Sequence, residues 1–199
     1  MLNQRLRQGW NGLMRPIGRG LGRAGLSPDA MTLIGVAISG GVAVLIVQGR
    51  LLAAGFVAIA AAFADTFDGA IARATGRTSK FGALLDSTTD RLADALYLVP
   101  VAWLYGVDPD IAERNEPWVA AVALTALVLS FMVSYVKARA EGLGFDCNVG
   151  FGERAERLII VIAGLILDLV PAAMVLLAAV SLITFLQRIF HVRAQAESA

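Results

Sequence analysis

The chain has 199 residues, 57% hydrophobic and 17% charged, and its 17 basic and 16 acidic residues almost cancel. Soluble domains carry about 25% charged residues and roughly 45–50% apolar ones, so this composition excludes a disordered or nucleic-acid-binding tail protein and points away from an ordinary soluble domain. The single cysteine, Cys147, excludes an internal disulfide framework and a Cys-rich metal site.

In chain order, residues 1–26 are polar and Arg-rich, and no cleavable signal peptide is expected there. Trp10, Leu13, Met14, Ile17 and Leu21 are interleaved with Arg5, Arg7, Arg15, Arg19 and Arg23. That spacing predicts an amphipathic helix lying in the headgroup layer, with a basic tail as the other reading. Six stretches then approach the roughly 20 apolar residues needed to cross a bilayer. They run from Ala30 to Val47, Leu51 to Arg73, Phe81 to Tyr105, Trp118 to Lys137, Glu153 to Leu167 and Val170 to Phe190. The fifth is the weakest, because Glu153, Arg154, Glu156 and Arg157 fall in its first turns. Trp103, Tyr105 and Trp118 read as an aromatic belt at one membrane face. The expected fold is an all-α integral membrane protein, with six transmembrane helices and an N-terminal interfacial amphipathic helix, in a single domain over residues 1–199.

Lys and Arg in the flanks set the orientation. With the N-terminus in the cytoplasm, only Arg50 and Arg114 of the 17 basic residues fall on the far side, where the acidic connection from Asp108 to Pro117 also lies. The expectation is therefore a multi-pass protein of the cell membrane with both termini cytoplasmic.

Ionisable residues inside spans are costly and mark function. Asp65 and Asp68 lie late in the second span, and Asp86 and Asp90 early in the third. Spacings of three and four place each pair on one helix face. A short connection makes the two helices antiparallel neighbours, so both pairs sit at similar depth, toward the cytoplasmic side. Four facing carboxylates repel in a low dielectric. A divalent metal is the economical remedy, since hard cations take carboxylate oxygens and Mg²⁺ bridges carboxylates to phosphates. No His or Cys lies in these helices, which argues against zinc. Gly69 and Gly82 allow a ligand close approach, and Arg73, Arg77, Ser79 and Lys80 at the mouth suit an anionic substrate. Two other readings of the acids remain: structural pairing with Arg73 and Arg91, or the ion pathway of a membrane transporter. Asp94 continues the Asp86–Asp90 face and reads as a structural partner of an arginine.

The residues from Asp65 to Asp90, Asp65-x2-Asp68-Gly69-x2-Ala72-Arg73-x8-Gly82-x3-Asp86-x3-Asp90, resemble the signature of the CDP-alcohol phosphatidyltransferase family at all eight fixed positions. The resemblance implies an enzyme in which a CDP-linked lipid loses CMP and passes its phosphatidyl group to an alcohol. It implies two divalent ions, Mg²⁺ or Mn²⁺, held by Asp65, Asp68, Asp86 and Asp90, with Asp90 also the general base. It places Gly69, Arg73 and Ser79 against the CDP portion of CDP-diacylglycerol. The entry to the first span, with Asp29, Ala30, Met31 and Thr32, resembles the family's cytidine-side segment, and a homodimer is implied by the resemblance alone. The site would open on the cytoplasmic side, where a lipid donor and a water-soluble acceptor meet.

The acceptor is read from the fourth-to-fifth segment. Ser134 to Glu141 and Gly150 to Ile160 are similar to the actinobacterial phosphatidylinositol-phosphate synthases of that family, which implies inositol phosphate. Lys137, Arg139, Arg154, Arg157 and Arg188 all fall on the cytoplasmic side and suit an acceptor bearing its own phosphate. Glycerol 3-phosphate satisfies the same charge argument, so a phosphatidylglycerophosphate synthase stays open. Each of these cations could instead serve only to orient the chain.

Overall fold

The structure is a computed structural model that describes Met14, residues 16–107 and residues 116–198. The described residues are all-helical apart from short connections. A helical stretch at 16–23 precedes helices α1 (Pro28–Val47), α2 (Leu51–Thr75), α3 (Lys80–Val107), α4 (Trp118–Gly142), α5 (Arg154–Ile166) and α6 (Val170–Ser198). Most of the N-terminal amphipathic segment, including Trp10 and Leu13, and the acidic connection from Asp108 to Asn115 lie outside the described residues.

Local chemistry sets the helix ends. Ser27 caps α1, its hydroxyl accepting from the Ala30 amide at 3.1 Å, with Pro28 in the first helical position, where a missing N–H costs nothing. α1 ends at Gly49, in the left-handed region at φ 70°, with the Arg50 amide reaching back to the Leu45 carbonyl at 2.9 Å. Gly76 ends α2 in the same manner, at φ 67°, with the Arg77 amide on the Ala72 carbonyl at 3.0 Å. A side chain at either position would strain the backbone. Ser79 then caps α3, accepting from the Gly82 amide at 2.8 Å.

Four helices, α1, α2, α4 and α6, are long and apolar enough to cross a membrane. α3 has the length, with 28 residues, but Lys80, Asp86, Asp90, Arg91 and Asp94 interrupt its first half. α5 has 13 residues, which at 1.5 Å per residue is about 20 Å, short of a hydrocarbon core of about 30 Å.

The chain divides into two compact units. The first comprises the residues up to Gly41 together with Val57–Ala93. Small residues bring its helices together: Gly35 faces Ala64 across α1 and α2, and Gly18 of the N-terminal stretch abuts the Ala70 backbone so closely that a Cβ would collide with it. Met14, Ala61, Ala64, Ala70 and Ile71 are buried there. The second unit comprises Val42–Phe56 and Asp94–Ala199. In it α4 and α5 both pack on α6, around Leu98, Val133, Leu165, Met174 and Leu177. Gly55 makes room for Ile166, and Gly164 for Ala173. Trp103 and Trp118 are exposed, as a membrane-facing belt requires, whereas Tyr105 is buried and does not belong to it.

Candidate functional site

In the first unit, α2 and α3 bring three carboxylates together. One oxygen from each of Asp65, Asp68 and Asp86 lies within 4.8 Å of the other two. Asp68 is buried, Asp65 half-buried and Asp86 exposed, so the cluster grades from packed interior to an open side. Asp90, half-buried, follows Asp86 by one turn on the same face of α3. The close group comprises the first three acids and not Asp90. Ligands of one octahedral ion with bonds of about 2.1 Å lie about 3–4 Å apart, so the three oxygens need only a small contraction to share a cation. The donor set, carboxylate oxygen alone, suits Mg²⁺ or Mn²⁺. This is the observation on which a divalent metal fits.

Asp68 and Asp86, but not Asp65 or Asp90, line a pocket of about 210 Å³. Its lining includes Asp29 and Thr32 from α1, Asp68, Gly69 and Arg73 from α2, Ser79 and Gly82 at the start of α3, and Asp86. Two helix N-termini, those of α1 and α3, therefore border the same space, and their positive dipole ends favour an anion. The Arg73 guanidinium folds back over Gly69, 3.1 Å from where a Cβ would stand. At Gly82 a Cβ would stand 3.1 Å from the Ser79 hydroxyl and 3.7 Å from Asp29 Oδ1. The bare backbone at both glycines is thus flanked by polar groups. The Thr32 hydroxyl is 2.7 Å from Asp68 Oδ2 and 3.2 Å from the Pro28 carbonyl.

Of the residues expected to meet the CDP portion, Asp29, Thr32, Gly69, Arg73 and Ser79 line the pocket. Ala30 and Met31 do not; their amides donate to Ser27 in the first turn of α1. Arg77 and Thr78 in the connection between α2 and α3 also line it. Thr78 had no signal in the sequence beyond its place between Arg77 and Ser79. Arg91 donates to the carbonyl of Ser87 in its own helix.

The five cations expected at the acceptor all lie in the second unit, and they differ in setting. Arg139 is exposed and Arg154 half-buried. Lys137 is half-buried, with its ammonium 3.9 Å from Glu141. Arg157 and Arg188 are each only 4% exposed. Arg157 donates to the Gly152 carbonyl at 2.8 Å and pairs with Asp94 at 3.3 Å. That pair is the structural role expected of Asp94. Arg188 donates to the carbonyls of Val133 at 2.7 Å and Val149 at 3.1 Å. The segment 146–153 is tied down further by the Gly152 amide on Thr184 at 2.9 Å and by Gln195 on both backbone groups of Asp146. Cys147 is buried in this segment. Burial pushes its thiol above the usual range, against the pull of Arg188 and Lys137, so it is a packed apolar residue and not a nucleophile.

Residues 26–187 match the model of the CDP-alcohol phosphatidyltransferase family. The chain belongs to this family. As a CDP-alcohol phosphatidyltransferase it is a membrane-protein transferase of phospholipid synthesis. It is 38% identical over 193 residues to the phosphatidylinositol phosphate synthase of Mycolicibacterium smegmatis, covering 91% of this chain and 84% of that one. It is 37% identical over 182 residues to the archaetidylinositol phosphate synthase of Pyrococcus horikoshii, covering 91% of each. Among solved structures it resembles the phosphatidylinositol phosphate synthase of Mycobacterium tuberculosis. With CDP-DAG bound to that enzyme the TM-score is 0.81 at 38% identity, covering 90% of this chain and 92% of the other. Its complex with manganese and citrate gives 0.81 at 37% identity, covering 90% and 88%. The carboxylate cluster of this phosphatidyltransferase, with oxygen donors alone, is of a kind suited to a divalent metal.

Proposed function

We propose that this phosphatidyltransferase moves the phosphatidyl group of CDP-diacylglycerol to a hydroxyl of inositol phosphate, giving phosphatidylinositol phosphate and CMP. The observation that carries the reading is the gathering of Asp65, Asp68 and Asp86 beside a pocket walled by two helix N-termini. The names of its relatives, which share the inositol phosphate acceptor across two kinds of lipid, favour that acceptor over glycerol 3-phosphate.

Asp65, Asp68, Asp86 and Asp90 hold two divalent ions, Mg²⁺ or Mn²⁺. Bound there, the ions neutralise the diphosphate and the charge that develops on departing CMP. Gly69, Arg73, Ser79, Asp29 and Thr32 bind and orient the CDP portion, with Ala30 and Met31 contributing backbone in the first turn of α1. Lys137, Arg139, Arg154, Arg157 and Arg188 supply the cations for the acceptor phosphate. The acceptor hydroxyl attacks the lipid-side phosphorus, the bond to the CMP phosphate breaks, and CMP leaves with the electron pair. Asp90 takes the hydroxyl proton. The attack is direct, since among the described residues no Cys or His lines the site and the Ser79 there caps α3.

The remaining reading concerns the whole chain. Residues 1–199 form one catalytic domain of six spans, with α3 and α5 crossing alongside the four more apolar helices and the short α5 accommodated by local thinning of the bilayer; the interfacial segment expected over residues 1–26 lies mostly outside the described residues. Its termini and active site are cytoplasmic, and it works as a homodimer in the cell membrane. The deciding experiment incubates the purified protein with CDP-diacylglycerol, Mg²⁺ or Mn²⁺, and either inositol phosphate or glycerol 3-phosphate, and follows CMP. Release with inositol phosphate alone is expected; release with glycerol 3-phosphate alone makes the chain a phosphatidylglycerophosphate synthase, and ion flux without CMP makes it a transporter.

A further inference from the structure

We infer that Thr32 is a positioning residue for the metal centre: its hydroxyl fixes the Asp68 carboxylate so that one oxygen stays on α1 and the other is presented to the cation. The inference rests on the divalent-metal reading of the site and assigns Thr32 a task distinct from touching the nucleotide.

Asp68 is the most enclosed of the three clustered acids, 6% exposed, and Thr32 beside it is 8% exposed. Their bond is 2.7 Å long and joins residues 36 apart in sequence. A hydroxyl has one proton to give. The alternative acceptor, the Pro28 carbonyl, is farther away at 3.2 Å and neutral, so an ionised Asp68 takes the proton in a short charge-assisted bond. Thr32 is itself held: it is β-branched, in the first turns of α1, and stiff about χ1. Without this tether, the Asp68 carboxylate, repelled by Asp65 and Asp86, keeps only its bond from the Gly69 backbone to fix its orientation. With it, the carboxylate is oriented beforehand, and the Pro28–Thr32 wall of the pocket is coupled to the metal helix. Partners that orient a ligand from outside the coordination sphere are worth about 10–100-fold in metal affinity.

The test compares the parent, Thr32→Val and Thr32→Ser as detergent-solubilised full chains. Mn²⁺ uptake without substrate is read from loss of the free-ion electron paramagnetic resonance signal. The valine variant keeps the shape and removes the donor; its Mn²⁺ dissociation constant should rise about 10–100-fold, while the serine variant stays close to the parent. At saturating Mn²⁺ the KM of the valine variant for CDP-diacylglycerol reads the separate contact of Thr32 with the CDP portion. Unchanged Mn²⁺ affinity in Thr32→Val with a raised donor KM overturns the inference and makes Thr32 a direct nucleotide contact. Equal weakening in the serine and valine variants overturns it too, since serine retains the bond. If the parent itself takes up no Mn²⁺, the divalent-metal reading fails rather than the role of Thr32 alone.

Discussion

The two units arrange their charged side chains in opposite ways. In the first, carboxylate gathers with carboxylate: Asp65, Asp68 and Asp86 converge within 4.8 Å. In the second, charge meets its complement: Asp94 faces Arg157 at 3.3 Å, and Arg188 spends its donors on the carbonyls of Val133 and Val149. Folding alone selects the second arrangement, because each buried charge is neutralised or hydrogen-bonded by the chain itself. It does not select the first, in which like charges share a partly desolvated space. A bound divalent cation would relieve that repulsion. On the proposed reading, the first unit carries chemistry that needs a cation, and much of the second is a scaffold that holds the 146–153 segment.

The largest expected effects fall on the like-charged cluster. Asp65→Ala or Asp86→Ala should lower kcat by about a thousandfold or more, since metal stabilisation of developing charge is worth several kcal/mol. Metal dependence should disappear with the activity. A variant that stays fully active in chelator would remove the cluster from the reaction. Asp90→Asn separates the fourth acid from the other three. It should cost about 10²–10⁴-fold in turnover, the range for a lost general base, while CDP-diacylglycerol binding survives. Near-normal turnover would return Asp90 to a ligand-only or structural role.

The second unit should respond in stability first. Arg157→Ala takes the guanidinium away from Asp94 in a setting where the two side chains are 5% and 14% exposed. Breaking such a pair from one side costs about 3–5 kcal/mol, read as a lowered thermal midpoint of the solubilised protein. Arg139→Ala, at an exposed position, should leave stability within about 0.5 kcal/mol and raise KM for inositol phosphate more than for the lipid. If Arg157→Ala keeps its midpoint and only acceptor KM rises, Arg157 serves substrate more than scaffold, and the contrast between the units weakens.

The same contrast explains what the sequence made legible. The acid cluster was readable because its evidence is local: spacings of three and four on two adjacent helices joined by a short turn. The pocket residues Gly69, Arg73 and Ser79 were readable because they sit in or beside that pattern; Asp29 was reached only through the family resemblance of the entry to the first span. Span positions were readable from hydropathy, but their ends were not. α4 continues past Lys137 to Gly142 and α6 past Phe190 to Ser198, because backbone hydrogen bonding does not stop where apolar residues give way to charged ones. The bond from Thr32 to Asp68 and the burial of Arg157 and Arg188 were not readable. They depend on how helices distant in sequence meet, and a cytoplasmic arginine looks the same in sequence whether it faces water or a carbonyl.

The smallest effect concerns Ser79, where a structural and a substrate role coincide. Its hydroxyl caps α3 through the Gly82 amide at 2.8 Å and also lines the pocket. Ser79→Ala should cost about 1 kcal/mol from the lost cap and raise KM for CDP-diacylglycerol. Ser79→Asp keeps an equally good cap but sets a negative charge where the diphosphate must lie. Stability should therefore return with aspartate while donor KM rises above that of the alanine variant. If both stability and donor KM return, Ser79 acts through the helix end alone, and the anion is held by Arg73 and the backbone amides.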